Sequence, residues 1–137
     1  CRFGDPETQP IMMRLNSDLI DLIDTSFKGG INKFLIKWNP DTALGVVMSC
    51  KGYPEQYETG QEITGLSNFN NVKNLKIFHS GTTLDKDNIL TSGGRVLCVT
   101  ALGSDIKTSK ALAYSAVSNI DWEGCYCRKD IGFRVIK

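Results

Sequence analysis

The sequence predicts an α+β chain: a helical leading piece over residues 1–40, then a small β-rich, barrel-like domain with one helix over residues 41–137. Three observations carry this expectation. Apolar residues recur at helical spacing in two places, 11–23 and 106–120. Between them, short runs rich in Val, Ile, Leu and Phe alternate with Gly, Pro, Asn and Asp, as short antiparallel strands and their turns do. The cluster Asn39-Pro40-Asp41 punctuates the chain between the two regimes.

Taken in order, Thr8 offers a helix cap, and Pro10 stands in a first turn, where a missing N–H is tolerated. Ile11, Leu15, Leu19, Leu22 and Ile23 then mark one apolar stripe, and a break at Asn16-Ser17 divides it into two helices or recaps one. Gly29-Gly30 ends it, and Phe34 to Trp38 leads into the Asn39-Pro40-Asp41 turn. Strands are expected at 44–48, 62–66, 76–79 and 95–100, in an antiparallel sheet or small barrel. Gly52-Tyr53-Pro54 reads as a turn before it reads as a ligand loop, and Gly93-Gly94 as a hairpin turn. Ile106, Ala113, Tyr114, Val117 and Ile120 share one helix face, with Lys107, Lys110 and Ser115 elsewhere. Cys125 to Val135 reads as a last strand or pair of strands, bent at Gly132.

With 137 residues, 41% of them hydrophobic, the chain has the material for a packed core. A formal net charge of +1 provides no overall field to gather nucleic acid or an anionic membrane, so any anion site is local. The longest apolar runs, 43–48 and 96–99, are far too short to span a bilayer. The chain opens on Cys1 with no secretory leader pattern, which reads as a cut chain. Five cysteines, at 1, 50, 98, 125 and 127, form no disulfide framework, so free thiols in a reducing, cytoplasmic setting are expected.

Arg2-Phe3-Gly4-Asp5-Pro6-Glu7-Thr8-Gln9 is the stretch richest in chemistry. Gly4 and Pro6 bend and hold the backbone while Arg2, Asp5 and Glu7 project from it. A loop tied to a helix start also favours anions such as phosphate or carboxylate. Arg2 could clamp a phosphate, and Asp5 and Glu7 could hold an amine or a ribose hydroxyl; a surface turn with a local ion pair is the plain alternative. Cys125 and Cys127 would share one strand face, yet no second cysteine pair completes a metal set, so small core residues are expected there. His79 is the only imidazole: it could move a proton or bond a backbone carbonyl. No glycine-rich phosphate motif is present.

Several segments, in this order, resemble glycinamide ribonucleotide synthetase (phosphoribosylamine-glycine ligase), an ATP-grasp family of purine biosynthesis. They are Arg2 to Pro10, Gly52-Tyr53-Pro54 with Tyr57 and Gly60, Ile63-Thr64-Gly65-Leu66, Phe78-His79-Ser80-Gly81-Thr82, Gly93-Gly94-Arg95-Val96-Leu97, Val99-Thr100-Ala101-Leu102-Gly103, Ala113-Tyr114 and Arg128-Lys129-Asp130-Ile131-Gly132. The resemblance covers essentially the whole chain. It implies that residues 1–40 are the closing loop and helices of an ATP-grasp domain, and that 41–137 are the C-terminal domain packed against it.

The resemblance further implies that ATP activates glycine as an acyl phosphate, which the amine of 5-phosphoribosylamine attacks to give the amide, ADP and phosphate. Magnesium would neutralise the phosphates. The family's metal-holding Glu-x-Asn pair would lie just before Cys1, and its nucleotide-binding strands further upstream, so the chain alone is expected to be inactive. Carried over by position, Arg2 is a phosphate contact, and Asp5 and Glu7 are amine or ribose contacts. Two departures stand out: Glu55 where the family usually has Gly, and Ser80 where it has Ala. A positive φ at Glu55 would strain the turn by about 1 kcal/mol. Another ATP-grasp carboxylate-amine ligase, and a non-catalytic β-rich binding module, are the rival readings.

Overall fold

A computed structural model describes residues 2–33 and 35–136. The leading stripe forms two helices, α1 (Thr8–Arg14) and α2 (Leu19–Phe27). The break falls where expected because Asp18 starts α2 afresh, its carboxylate accepting from the N–H groups of Ile20 (2.7 Å) and Asp21 (3.2 Å). Thr8 does not cap α1: its hydroxyl and its N–H both donate back to the Gly4 carbonyl, and the cap position falls to Glu7, whose side chain makes no cap bond. The end of α1 turns back on itself. Leu15 bridges Trp38, the Asn16 N–H donates to the Lys37 carbonyl (2.9 Å), and the Asn39 N–H donates to the Arg14 carbonyl (2.7 Å). Residues between these bridges leave and rejoin the body at one point, and several of their described apolar side chains stay uncovered: Ile20 is 71% exposed, Phe27 88% and Leu35 86%.

The body is an antiparallel sheet of β1 (Thr42–Cys50), β2 (Leu75–His79), β5 (Arg95–Gly103) and β6 (Cys125–Cys127), in the order β2-β5-β1-β6. It is open, with β2 and β6 as edges, so of the two expected arrangements the antiparallel sheet forms and the barrel does not. A separate hairpin joins β3 (Thr82–Asp85) to β4 (Asn88–Thr91).

Register explains the burial. Leu44, Val46 and Met48 lie opposite Ala101, Val99 and Leu97, and this face packs on helix α3 (Ile106–Val117) through Ala113, Ala116 and Val117, with Ile120 and Trp122 completing the core. Each large apolar side chain fully buried here is worth roughly 1.5–3 kcal/mol. On the opposite face Gly45 lies across from Thr100, and α1 lies over them so closely that a Cβ on Gly45 would stand 3.2 Å from a Pro10 ring carbon. Covered from both sides, β5 is buried from Val96 to Gly103. Asp105 caps α3 by accepting from the Thr108 N–H (2.7 Å), and this bond holds its carboxyl below the usual range. On α3, Ala113 and Val117 face the core as expected, while Ile106 and Tyr114 are half-buried against it.

Two further expectations are corrected. Residues 62–66 form no strand: Glu62 and Thr64 make isolated bridges to Leu90 and Asp121, and Gly65 (φ 84°) turns the chain into a short helical turn at Leu66–Phe69. Gly93-Gly94 is no hairpin turn, because β4 and β5 lie in different sheets and the pair carries the crossover between them. Of the two readings of the last segment the single strand forms, β6, shorter than the stretch 125–135, and a helical turn follows at Phe133–Val135 after Gly132 (φ 81°). The β3–β4 hairpin went unread because its two-residue turn contains no glycine: Lys86 itself adopts φ 55°. Among the described residues no helix is long and apolar enough to cross a membrane.

Candidate functional site

The leading loop does not stand free. Asp5 reaches the first residue of β5, where its carboxylate Oδ2 lies 3.1 Å from Arg95 Nη2 and its main-chain carbonyl accepts from Arg95 Nη1 at 3.2 Å. Its other oxygen, Oδ1, accepts from Gln9 Nε2 at 3.1 Å. The Arg95 guanidinium also lies 5.8 Å from the centre of the Tyr53 ring, a cation–π distance. Tyr57 flanks Tyr53 at 5.9 Å between ring centres, tilted by 60°. Loop, turn and strand therefore meet at one corner.

Small residues make this meeting possible. A side chain on Gly94 would run into the Tyr53 ring. A Cβ on Gly81 would stand 2.7 Å from the Arg95 carbonyl and from Gly93 Cα. The Gly81 N–H donates to that same carbonyl (2.9 Å), and the Ser92 N–H donates to the Gly81 carbonyl (2.8 Å), which locks the crossover beside β2. The 52–55 turn is closed by the Glu55 N–H donating to the Gly52 carbonyl (2.9 Å), and φ is positive at Gly52 but not at Glu55. The strain foreseen at Glu55 therefore does not arise.

The other two charged residues of the loop have different neighbours. Arg2 is exposed and donates from Nη1 to the adjacent Phe3 carbonyl (3.1 Å); it does not pair with Asp5 or Glu7. The exposed Glu7 folds its carboxylate over Gly4, leaving no room there for a Cβ. His79, at the end of β2, places Nδ1 3.1 Å from the Thr82 hydroxyl. Beneath the loop, burial pushes the Cys98 thiol up; the Thr100 hydroxyl partly opposes this, and the Asp5 charge adds to it. A thiol so held is neutral and a poor nucleophile. Cys50 is buried, and Cys125 and Cys127 are half-buried against the core, with burial pushing Cys125 up to about 12. Beside the corner, the 50–58 segment overhangs a groove of about 1100 Å³ lined by Lys51, Glu55, Tyr57, Glu58 and Glu123, which Arg2, Asp5 and Glu7 do not line. Among the described residues no three His, Cys, Asp or Glu side chains converge so as to hold a metal ion.

The family model described as "Phosphoribosylglycinamide synthetase, C domain" matches residues 43–134, most of the chain. The chain belongs to the phosphoribosylglycinamide synthetase C-domain family. It is 49% identical over 138 residues to a phosphoribosylamine–glycine ligase of Escherichia coli O157:H7, covering 100% of this chain and 32% of that protein. It is likewise 49% identical over 136 residues to one from Allochromatium vinosum, covering 99% of this chain and 32% of the relative. The crystal structure of a phosphoribosylamine–glycine ligase from Thermotoga maritima superposes with a TM-score of 0.80 at 28% identity, over 96% of this chain and 32% of that one. The chain thus spans about a third of the length of the relatives it matches.

Within this phosphoribosylglycinamide synthetase C domain the resembling segments sort into two groups. Some are joints. Gly65 packs on the Asn119 carbonyl, Gly103 on Ser109, and the Tyr114 hydroxyl both donates to the Arg128 carbonyl (2.6 Å) and accepts from the Ile131 N–H (3.1 Å). Arg128 itself forms a two-pronged pair with Asp130 (2.9 and 2.7 Å), which lowers the carboxyl and raises the guanidinium. The remaining segments, at 4–9, 52–57, 78–82 and 93–95, converge on the corner. Arg95 and Tyr53 both lie inside segments that carry the resemblance, yet nothing local in the sequence ties them to Asp5, so their meeting with it was not foreseen.

Proposed function

We propose that this chain is the C-terminal part of an ATP-dependent ligase of purine biosynthesis that joins glycine to 5-phosphoribosylamine, giving glycinamide ribonucleotide, ADP and phosphate. The observation that carries this reading is the docking of the charged 4–9 loop onto the Tyr53–Arg95 corner of a phosphoribosylglycinamide synthetase C domain. In this reading residues 1–40 close an ATP-grasp domain, and the bare apolar side chains of α2 and 35–38 are covered by the rest of that domain. Arg2, which pairs with no carboxylate among the described residues, meets the substrate phosphate with its planar fork of donors. Asp5 and Glu7 meet the amine or ribose, Asp5 through the lone pairs that Arg95 and Gln9 leave open.

ATP and magnesium belong to the portion of the protein that this chain does not span, and the setting is the cytoplasm. In this reading the work of the described residues is to hold and orient the amine substrate. The test is a turnover assay with ATP, magnesium, glycine and phosphoribosylamine on the full-length protein and on the 137-residue chain. Product from the full-length protein alone is expected. Turnover by the isolated chain would overturn this division of labour, and an inactive full-length protein would overturn the assigned reaction. Competition by other carboxylates and amines separates this ligase from other ATP-grasp ligases.

A further inference from the structure

We infer that Arg95 is a positioning residue for the substrate loop, acting through Asp5; this rests on reading that loop as a substrate wall. The geometry is unusual for a surface ion pair. One guanidinium holds both the side chain and the main chain of the same residue, Nη2 to the Asp5 carboxylate (3.1 Å) and Nη1 to the Asp5 carbonyl (3.2 Å). Two such contacts fix the direction in which a carboxylate points, as well as its position. Gln9 holds the remaining oxygen, so Asp5 is tied at three atoms.

The clamp is itself supported. Tyr53 lies across the Arg95 guanidinium, Tyr57 props Tyr53, and Gly94 is bare so that the ring can seat. Arg95 opens β5, the strand with both faces covered, and its own carbonyl accepts from the Gly81 N–H (2.9 Å), which ties its backbone to the crossover. Both charged side chains nevertheless remain partly in water, at 41% for Arg95 and 36% for Asp5. An exposed pair of this kind adds little to fold stability. Its effect is therefore expected in the order of the loop and in substrate affinity, while the melting temperature stays nearly unchanged.

The test uses the full-length protein with Arg95→Gln, Arg95→Lys and Gly94→Ala. A loop displaced by about an ångström loses up to roughly 100-fold in efficiency, so Arg95→Gln is expected to raise KM for phosphoribosylamine by about tenfold or more. KM for ATP should stay within about twofold, because the nucleotide lies outside this corner in the proposed reading. Arg95→Lys keeps the charge but not the fork and should fall between the two, and Gly94→Ala should reproduce the loss by unseating Tyr53. In this chain, amide exchange at Thr8, whose N–H bonds Gly4, should quicken in Arg95→Gln while the Tm holds. An unchanged KM for phosphoribosylamine in Arg95→Gln would overturn the inference. So would equal losses for every substrate accompanied by a falling Tm, which would make Arg95 a folding residue. A wild-type protein without activity on phosphoribosylamine would instead overturn the assigned reaction and leave the clamp to the exchange measurement.

Discussion

Replacing Gly60 and Gly65 separately by alanine isolates a close approach from backbone strain. Both have similar positive φ, 86° and 84°, so alanine pays a similar conformational penalty at each, about 1–2 kcal/mol. Their surroundings differ. Nothing lies within 4 Å of a Cβ built at Gly60, whereas at Gly65 it would overlap the Asn119 carbonyl and stand 3.3 Å from Ile120 Cα. Those atoms are backbone, and Ile120 is a core residue 3% exposed, so the 64–66 segment must retreat from the end of α3. Forced packing of this kind costs about 1–3 kcal/mol more. Gly60→Ala is therefore expected to lose about 1–2 kcal/mol and Gly65→Ala about 2–5 kcal/mol. At about 4 °C per kcal/mol for a chain of this size, that is about 4–8 °C against about 8–20 °C in Tm. Urea unfolding followed by circular dichroism, with the slope m held common, reads both. Equal losses, or a larger loss at Gly60, would refute the reasoning that Gly65 serves as a joint between two segments.

Tyr114→Phe removes one donor and one acceptor at the 128–131 segment and is expected to cost about 1–2 kcal/mol, with faster amide exchange at Ile131 as the local readout. Burial raises Cys98, Cys125 and Cys127 in the folded state, so above the ordinary thiol range of about 8.5 the unfolded chain has lost protons that the folded one keeps. Stability is thus expected to fall as pH rises from about 8.5 towards 12, and Cys125→Ala should flatten the decline in urea midpoints measured across that window. Phe27→Lys together with Ile20→Lys should leave the Tm of this chain nearly unchanged, since both side chains are in solvent, and should raise its solubility. The same pair in the full-length protein should lower its Tm if the proposed cover over α2 exists, which differential scanning calorimetry would show.

What the sequence made legible follows from where burial imposes a period. The α3 stripe and the run at 95–100 stood out because one packs on one face and the other is buried on both. The break before α2 was visible because Asn16-Ser17 interrupts the apolar stripe, while the cap itself, Asp18, emerged only from the structure. Other features leave no such trace. Ile63-Thr64-Gly65-Leu66 has the composition of a strand, but Glu62 and Thr64 find different partners, so no ladder can grow. Gly93-Gly94 looks like a hairpin turn locally, while its glycines are needed by Gly81 and Tyr53, which lie elsewhere in the chain. At the site, glycine, proline and interleaved charge marked 2–9 as a loop with chemistry. The identity of Asp5's partner was out of reach, because a contact between the first loop and the fifth strand writes nothing into the residues beside either.

The order β2-β5-β1-β6 also bears on how the domain is made. No two neighbouring strands of this sheet are joined by a tight turn; among the described residues the one such pair, β3 and β4, lies outside it. When β1 leaves the ribosome it has no partner, and it waits until β5, which must seat between β1 and β2, has been synthesised. Closing loops of that length before any pairing is gained slows folding, and it leaves Leu44, Val46 and Met48 in water meanwhile. The strand that carries Arg95 is thus a late arrival, so the corner that receives the leading loop cannot exist until β5, ending at Gly103, has been made.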